Sequence, residues 1–457
     1  MLRNSETVGT KLQRIAEKAR KDPQCRFTSL FHLMNTDLLR ECFEQLRKDA
    51  AAGIDKMTKE EYGMNLEEHL TDLVGRLHSM SYIPQPVRKV LIPKPGSHKK
   101  RPLGIPGIED KVVQAGLTRI LSAIYETDFI DDSYGFRPNR GCHDALRALT
   151  QAVEGNPVNH IVDADIKGFF DNVEHEWMMK FLEHRIADKR VLRYIVRFLK
   201  AGVMEEGLVK KSDIGTPQGG IISPLLANIY LHYSLDLWFE KVFQKECYGY
   251  ARLIRYADDF VVCFQQERDA VKFRADLEGR LAQFGLEISP EKTKIIEFGP
   301  MAEIKAKREG RKPQTFDFLG FTHYCSRTRD KKRFRMKRKT SGKKFKAAVR
   351  RTKEWLNAHR TLPTREIMEN IAAKLRGHYA YYGVTDNIKG ISRYGYEVRK
   401  ILHKWLNRRG KRGCVNYEKF NRLLEKFPLP APSIRVSLWP QRPKPRPHRQ
   451  MYLFSQP

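Results

Sequence analysis

Two short apolar segments that carry acidic residues constrain this chain more than any other feature of its sequence. Residues 253 to 264, LIRYADDFVVCF, place Asp258 and Asp259 between two apolar halves, which predicts a β-hairpin with its acids at the tip. The segment His160 to Phe170, HIVDADIKGFF, has the pattern of a mostly buried strand that ends near Asp165. If these strands are neighbours in one sheet, three carboxylates meet at its edge. An isolated Asp-Asp pair is more often only a hydrated turn.

Carboxylates that converge from separate segments suit the chemistry of phosphate transfer. When a 3′ hydroxyl attacks an α-phosphate, charge develops on the attacking and departing oxygens, and two metal ions roughly 3.5 to 4 Å apart stabilise both. Magnesium prefers hard carboxylate oxygens and keeps open positions for phosphates. The acids therefore predict a site for two Mg²⁺ ions, for which Mn²⁺ is a possible substitute.

The charge of the chain points to a polyanionic partner. Its 457 residues include 85 Lys and Arg against 54 Asp and Glu, a formal net charge of +31, while 41% are hydrophobic. This composition is that of a folded basic protein, and such a charge attracts phosphate backbones over long range. A solvated basic surface and an anionic membrane are the alternatives. Nucleic acid is favoured because the basic residues interleave with aromatic ones.

Cysteine spacing and the N-terminal sequence further limit the classes of protein to which the chain can belong. The seven cysteines are scattered and never form a Cys-x-x-Cys pair, so we expect neither a zinc site nor a disulfide framework. The N-terminal residues lack the apolar core of a signal peptide, and no apolar run has the length of a membrane span. We expect a cytoplasmic protein that does not bind membranes. The cysteines are Cys25, Cys42, Cys142, Cys247, Cys263, Cys325 and Cys414.

Periodicity predicts helices at both ends of the chain and strands between them. The expected elements, in order, are helices over 10–80, a basic hairpin over 87–106, a helix over 111–126, a turn at 215–220, an apolar helix over 221–237, a polar connection over 299–314 and a strand over 316–321. The densest basic run, 327–353, leads into three amphipathic helices. We expect the aromatic residues there (Trp355, Tyr379, Tyr381, Tyr382 and Trp405) to fill a small core, with base stacking as the alternative.

Eight motifs carry a resemblance to one family. They are Arg101–Pro106 (RPLGIP), Ser133–Pro138 (SYGFRP), Asp165–Asp171 (DIKGFFD), Thr216–Gly220 (TPQGG), Tyr256–Asp259 (YADD), Gly285–Thr293 (GLEISPEKT), Phe318–Phe321 (FLGF) and Leu375–Tyr382 (LRGHYAYY). In this order they resemble the motifs of group II intron-encoded reverse transcriptases and maturases. The match covers roughly residues 85 to 430. The short Pro- and Arg-rich end makes the chain most similar to the compact, endonuclease-lacking (IIC-like) type, so we expect no target cleavage.

The resemblance implies an α+β fold shaped as a right hand. It implies an N-terminal helical extension and start of the fingers in 1–84, fingers and palm in 85–325, a helical thumb or maturase domain in 326–440, and a basic tail in 441–457. The palm would hold a small antiparallel sheet.

Site residues follow from the same resemblance, position by position. Asp165, Asp258 and Asp259 would hold the metals, with the backbone carbonyl of Ile166 as a further ligand. The nucleotide-binding residues would be Lys94, Arg101, Phe170, Gln218, Gly219 and Lys292. The primer and template contacts would be Arg137, Tyr256, Leu319, Gly320, Lys343, Lys344 and Arg376.

Individual roles within this set have competing interpretations. The Phe170 ring would collide with a ribose 2′ hydroxyl and so select deoxynucleotides, or it is an ordinary core residue. Lys94 and Arg101 would neutralise the triphosphate, and Arg can bind it with two hydrogen bonds. Lys292 would protonate the leaving pyrophosphate, or it is a plain surface lysine.

The implied partners are group II intron RNA, an RNA template with a DNA primer, deoxynucleoside triphosphates and target DNA. Three functions remain open: an intron-encoded reverse transcriptase and maturase, a splicing cofactor that only binds intron RNA, and a domesticated polymerase that serves phage defence or repair. The acidic triad argues against the second. An RNA-directed RNA polymerase is a weaker alternative. The oligomeric state cannot be read from the sequence.

Overall fold

The fold combines small sheets with many helices, which confirms the α+β class. The computed structural model describes residues 7–93, 100–205, 208–210, 214–215, 219–408 and 415–439. The first ten helices are α1 (Val8–Lys21), α2 (Thr36–Gln45), α3 (Lys59–Gly63), α4 (Leu66–His78), α5 (Ile108–Tyr125), α6 (Cys142–Gly155), α7 (His175–Glu183), α8 (Lys189–Lys200), α9 (Ser223–Leu231) and α10 (Gln244–Glu246). The others are α11 (Glu267–Ala282), α12 (Pro300–Arg308), α13 (Gly342–Ala358), α14 (Thr364–Tyr382), α15 (Ile388–Leu406) and α16 (Tyr417–Lys426).

Strands form three sheets. They are β1 (Val87–Pro93), β2 (Lys100–Ile105), β3 (His160–Asp165), β4 (Val203–Glu205), β5 (Leu208–Lys210), β6 (Ala251–Tyr256), β7 (Asp259–Phe264), β8 (Lys294–Glu297), β9 (Thr315–Phe318), β10 (Phe321–Arg327) and β11 (Phe334–Thr340). Among the helices of the described ranges, none is both long enough and apolar enough to cross a bilayer.

The central sheet is the antiparallel element that the two acidic segments predict. Its strand order is β6-β7-β3-β8. Successive side chains of a strand point to opposite faces, so Val162 and Ala164 of β3 join Phe260 and Val262 of β7 on one face. Ile161, Val261 and Cys263 lie on the other. Both faces are packed, which explains why these strands read as apolar runs.

The first face packs against helices and the second against another sheet. On the first, α7, α9 and α11 complete the largest apolar core of the described residues. On the second, α6 and strands β9 to β11 cover Ile161 and Val261. The sheet therefore lies between two cores, and its exposed parts are its ends.

The basic hairpin expected near residue 90 is present as β1 and β2. Ile92 pairs with Arg101 and Lys89 with Gly104 in antiparallel register. Strand β4 extends the sheet beside β1 in parallel, which gives the order β2-β1-β4-β5.

Two local predictions are wrong, and each has a physical reason. The strand expected over 316–321 breaks at Leu319 and Gly320, which have φ of +48° and +81° and turn the chain from β9 into β10. The polar connection expected over 299–314 contains helix α12, because Ala302 and Ala306 lie one turn apart and are both buried. Pro300 suits the first turn of that helix.

The apolar helix expected over 221–237 extends further than predicted. After α9 the chain passes through two π-helical segments, His232–Asp236 and Phe239–Phe243, before it reaches α10. Such widened turns are uncommon and are often found at functional sites.

The three amphipathic helices expected after the basic run are α13, α14 and α15. The predicted apolar positions of these helices form a small core, in which Tyr379 and Trp405 are buried. For these two aromatic residues, the expected role in packing is confirmed. Two elements of this C-terminal region were also not predicted. Residues 334–340 of the basic run form β11, and α16 follows the third amphipathic helix.

A fully buried ion pair links the helical stretch that continues from α9 to the central sheet. Arg255 of β6 donates to Asp236 from Nε at 2.8 Å and from Nη2 at 2.5 Å, and both side chains are completely inaccessible. Arg255 also donates to the Asn228 side chain and to the carbonyl of Ala257, each at 3.0 Å. A charge-assisted network of this kind fixes the hairpin relative to the helix because every donor has a defined acceptor.

Candidate active site

The structure brings the predicted acids together at one end of the central sheet. Asp165, the last residue of β3, lies directly opposite Asp259, the first residue of β7. Ala257 and Asp258 form the two-residue turn of the β6–β7 hairpin, and Ala257 has a φ of +56°. Directly opposed residues of antiparallel strands have Cβ atoms roughly 4.5–5.5 Å apart, so these carboxylates face a common space.

Sequence analysis missed further acids on the same face. Asp163 precedes Asp165 by two residues and so points to the same side of β3. Asp317 of β9 lies near Asp163 and accepts a hydrogen bond from the Thr322 hydroxyl. The period-two alternation of the segment HIVDAD was a signal that could have revealed Asp163.

The crowding of these carboxylates changes their pKa values. The pKa of Asp259 is raised to about 7, first because its carboxyl is surrounded by protein atoms, although the residue keeps an exposed edge, and then because Asp163, Asp258 and Asp165 are close. Burial raises the pKa of Asp163 to about 7 as well, helped by Asp317 and Asp165 and opposed by Lys294. Like charges this close disfavour ionisation of each other, and cations would relieve the repulsion.

The Leu319–Gly320 turn reaches the acidic cluster from the third sheet. The backbone N–H of Leu319 lies near the Asp259 carboxyl and opposes the rise in its pKa by favouring the charged form. Gly320 has a φ of +81°, and a Cβ there would lie 3.0 Å from the Tyr382 hydroxyl, so a larger residue would be both strained and tightly packed. The predicted primer-contacting turn therefore lies against one of the predicted metal ligands.

Lys292 lies at the cluster too. Its Nζ is 2.5 Å from Oδ2 of Asp165, and both side chains remain partly exposed. The segment before it is fixed by a hydrogen bond from the N–H of Ser289 to the carbonyl of Asp165 at 2.8 Å. The lysine is thus within reach of any group that binds at Asp165.

Two further predicted nucleotide-binding residues, Phe170 and Gly219, have described surroundings. Phe170 is half-buried and meets Phe169 edge-to-face with ring centroids 5.3 Å apart. Gly219 has a φ of +116°, and a Cβ there would lie 2.4 Å from the carbonyl of Gly104 in β2. Gly219 therefore packs closely against the backbone of Gly104 and the side chain of Leu103, and only glycine fits.

Three other predicted residues are described partly or not at all. The backbone of Arg101 belongs to β2 and pairs with Ile92, while its side chain is not described. Lys94 and Gln218 lie outside the described residues.

Arg137 does not fit its predicted contact with primer or template. Its side chain is 2% exposed and pairs with Glu126 at 2.9 Å. It also donates to the carbonyls of Ile130 and Ser133. These internal bonds use its guanidinium to hold the segment Ser133–Pro138, so the role of Arg137 is structural.

The other predicted contacts with primer or template remain accessible. Tyr256 is half-buried beside the exposed ring of Phe136, with ring centroids 6.4 Å apart. Lys343 and Lys344 are exposed on the first turn of α13, and Arg376 is exposed on α14. The N–H of Ser341, which caps α13, donates to the carbonyl of Gly320 at 3.0 Å, so the two lysines lie close to the Leu319–Gly320 turn.

Comparison with known proteins identifies the architecture. Residues 92–323, about half of the chain, match the family described as reverse transcriptase (RNA-dependent DNA polymerase). The chain belongs to this reverse transcriptase family.

Individual members of the reverse transcriptase family extend the match. The chain is 39% identical over 222 residues to the group II intron-encoded protein LtrA of Lactococcus lactis, which covers 48% of this chain and 37% of LtrA. It is 33% identical over 324 residues to protein YkfC of Escherichia coli, which covers 62% of this chain and 83% of YkfC. The likeness to an intron 1 protein of COX1/OXI3 from Saccharomyces cerevisiae is 31% over 210 residues, 46% of this chain and 25% of that protein. The chain thus spans little more than a third of LtrA.

Reverse transcriptases use divalent metal ions, and the acidic cluster fits such ions. Within the described residues no three His, Cys, Asp or Glu side chains are placed as a ready metal site, and Asp165 is paired with Lys292. The donor set is nevertheless suitable, because the crowded carboxylates carry hard oxygens and repel one another. The bridge between Ile166 and Ile288 uses the carbonyls of Asp165 and Glu287, which leaves the Ile166 carbonyl outside that pair of hydrogen bonds.

Another contact that was missed from the sequence supports the β6–β7 hairpin from outside. Gly135 lies against the hairpin turn, where a Cβ would be 2.3 Å from the nitrogen of Ala257. Its carbonyl accepts from the side chain of Asn228 at 2.7 Å. The position of Gly135 in the motif Ser133–Pro138 does not by itself predict this contact, which depends on the fold.

Replacement of Gly135 by alanine should therefore displace the turn that carries Asp258. We expect RNA-templated primer extension to fall by about tenfold or more, since small misplacements of reacting groups are costly. Gly279→Ala is the control, because Gly279 lies in α11 with nothing within 4 Å of a new Cβ. The control should keep full activity and gain roughly 0.5–1 kcal/mol of stability. Equal activities of the two variants would contradict the assigned contact.

Proposed function

We propose that this chain is an RNA-directed DNA polymerase that copies an RNA template from a DNA primer and uses deoxynucleoside triphosphates. The observation that carries the proposal is the meeting of Asp165, Asp258 and Asp259 at one sheet end, beside the Leu319–Gly320 turn. The family match and the likeness to an intron-encoded protein support it.

The acids would act as ligands of two Mg²⁺ ions. When bound, these ions would supply stabilisation of charge on the attacking and leaving oxygens. Asp165, Asp258, Asp259 and the Ile166 carbonyl would orient them. Lys292 would exchange its ion pair with Asp165 for the phosphates of the nucleotide, where its ammonium can donate a proton to the pyrophosphate.

Substrate selection would depend on residues around the cluster. Phe170 is half-buried, so one edge of its ring can face the sugar of the incoming nucleotide. The basic hairpin, through Lys94 and Arg101, would bind the triphosphate. Gln218 and Gly219 would approach the base, and the close contact of Gly219 with Gly104 supports a shared wall formed by the loop and the hairpin.

The primer and template would lie between the acidic cluster and the basic helices. Tyr256, Leu319 and Gly320 would contact the primer, while Lys343, Lys344 and Arg376 would bind phosphates of the duplex. In this proposal residues 85–325 form fingers and palm after a helical extension in 1–84, and residues 326–440 form the thumb before a basic tail. The net charge of +31 suits such binding to the phosphate backbone of a nucleic acid.

We further propose that the chain binds a group II intron RNA to assist splicing and mobility, with target DNA as the acceptor. Support comes from LtrA, whose name describes it as group II intron-encoded. RNA recovered with the purified full chain tests this part. A structured intron among the sequenced RNAs would support it, whereas only unrelated transcripts would favour a domesticated polymerase.

The substitution Asp258→Asn tests the polymerase itself. It keeps the size of the side chain but removes a charge, and we expect extension of a DNA primer on RNA to fall by about 100-fold or more. Asp131→Asn provides the control, since that side chain is 98% exposed and pairs with Arg140 at the surface. If the Asp258 variant extends primers as fast as the control, the catalytic assignment is wrong.

The discrimination against ribonucleotides should depend on the bulk of Phe170. Phe170→Ala should raise the relative use of ribonucleoside triphosphates by about tenfold or more, which corresponds to a difference of roughly 1.4 kcal/mol. Phe170→Tyr keeps the ring and should keep the selectivity. The ratio of kcat/KM values for the two sugars is the measurement, and an unchanged ratio in the alanine variant would show that Phe170 only packs against Phe169.

A further inference from the structure

Tyr381 of α14 connects the C-terminal helices directly to the acidic cluster. Its hydroxyl donates to the carbonyl of Leu319 at 2.8 Å. The backbone N–H of the same Leu319 lies near the carboxyl of Asp259 and favours its charged form. One residue of the turn therefore accepts a hydrogen bond from the helix on one side and adjoins a proposed metal ligand on the other.

The turn needs an external support of this kind. Leu319 adopts a left-handed conformation with a φ of +48°, which is strained for a residue with a bulky side chain. Such a conformation persists only where neighbouring groups fix it. The hydroxyl of Tyr381 and the Ser341 N–H, which donates to the carbonyl of Gly320, are the groups that hold this turn from the side of the C-terminal helices.

A second connection leads from Tyr381 to the other strand of the catalytic hairpin. The thiol of Cys142, the first residue of α6, is within hydrogen-bonding reach of the hydroxyls of both Tyr381 and Tyr256. His143 bonds the carbonyl of Tyr381 through Nε2 at 2.8 Å. The end of α14 is thus fixed to α6, and through Cys142 it contacts the strand that precedes Asp258.

We propose that Tyr381 is a positioning residue for nucleotide addition. Through Leu319 it sets the orientation of the Asp259 carboxylate, and through Cys142 it restrains Tyr256. Helix α14 also carries Arg376, so the placement of this helix on a duplex is transmitted to the acids. This inference rests on the proposed polymerase function.

The test is the substitution Tyr381→Phe, which removes one oxygen atom and keeps the stacking of the ring on Phe321. We expect kcat for nucleotide addition to fall by about tenfold, because the turn and Asp259 lose their fixed geometry. The KM for deoxynucleotides and the Kd for primer–template should stay within about twofold of the wild type. A residue that only stabilised the fold would not produce this separation of kcat from KM.

Tyr382→Phe is the matched control. Tyr382 is the next residue of the helix, its ring contacts that of Tyr381, and its hydroxyl lies beside Gly320 without the bond to the Leu319 carbonyl. Hydrogen exchange of the peptide 315–321 in the free full-length protein supplies a readout that does not depend on activity. Exchange should be faster in the Tyr381 variant and unchanged in the Tyr382 variant, with equal melting temperatures.

Three results would separate the possibilities. Unchanged kcat and unchanged exchange in the Tyr381 variant would overturn the positioning role, as would equal losses in both variants. If the wild-type protein extends no primer, the proposed function fails instead, and the exchange measurement alone then decides whether Tyr381 holds the turn.

Discussion

The buried ion pair between Arg255 and Asp236 is the interaction on which the site depends. Neither side chain contacts solvent, so each charge has only its protein partners to compensate for lost hydration. Loss of one partner from such a pair typically costs about 3–5 kcal/mol, because the other is left buried and unpaired. Arg255 also bonds the carbonyl of Ala257, so the same network that joins helix to sheet holds the turn that carries Asp258.

Around that fixed hairpin, the remaining parts of the site are attached from several directions. Gly135 contacts the turn by backbone, Asp165 is opposed to Asp259 across the sheet, and the N–H of Leu319 approaches Asp259 from the end of a strand of a different sheet. The fold therefore holds the acids closer together than isolated carboxylates, which repel one another, would lie. Contacts elsewhere in the fold offset the mutual repulsion of the carboxylates, and this repulsion favours the binding of cations.

Much of this arrangement could be predicted from the sequence where one strong local pattern dominates. The apolar segments around Asp165 and around the Asp258–Asp259 pair predicted β3, β6 and β7, three of the four strands of the central sheet, and the helical periods predicted α13 to α15. The turn at Leu319–Gly320 was missed because FDFLGF has the composition of a strand, and only contacts with Asp259 and Tyr381 favour a left-handed leucine. Arg137 shows the same limit, since a basic residue in a motif carries no sign of whether it faces nucleic acid or Glu126.

The contact between Gly219 and the basic hairpin limits how this chain can be rebuilt. A Cβ at residue 219 would lie 2.4 Å from the carbonyl of Gly104 and 2.9 Å from the side chain of Leu103, so only glycine fits there. Chimeras that import the segment around Gly219 alone from a relative would need glycine at this position and a hairpin whose backbone and leucine side chain leave the same space. Exchange of the two segments together preserves the fit, so they are best regarded as one module in the design of variants.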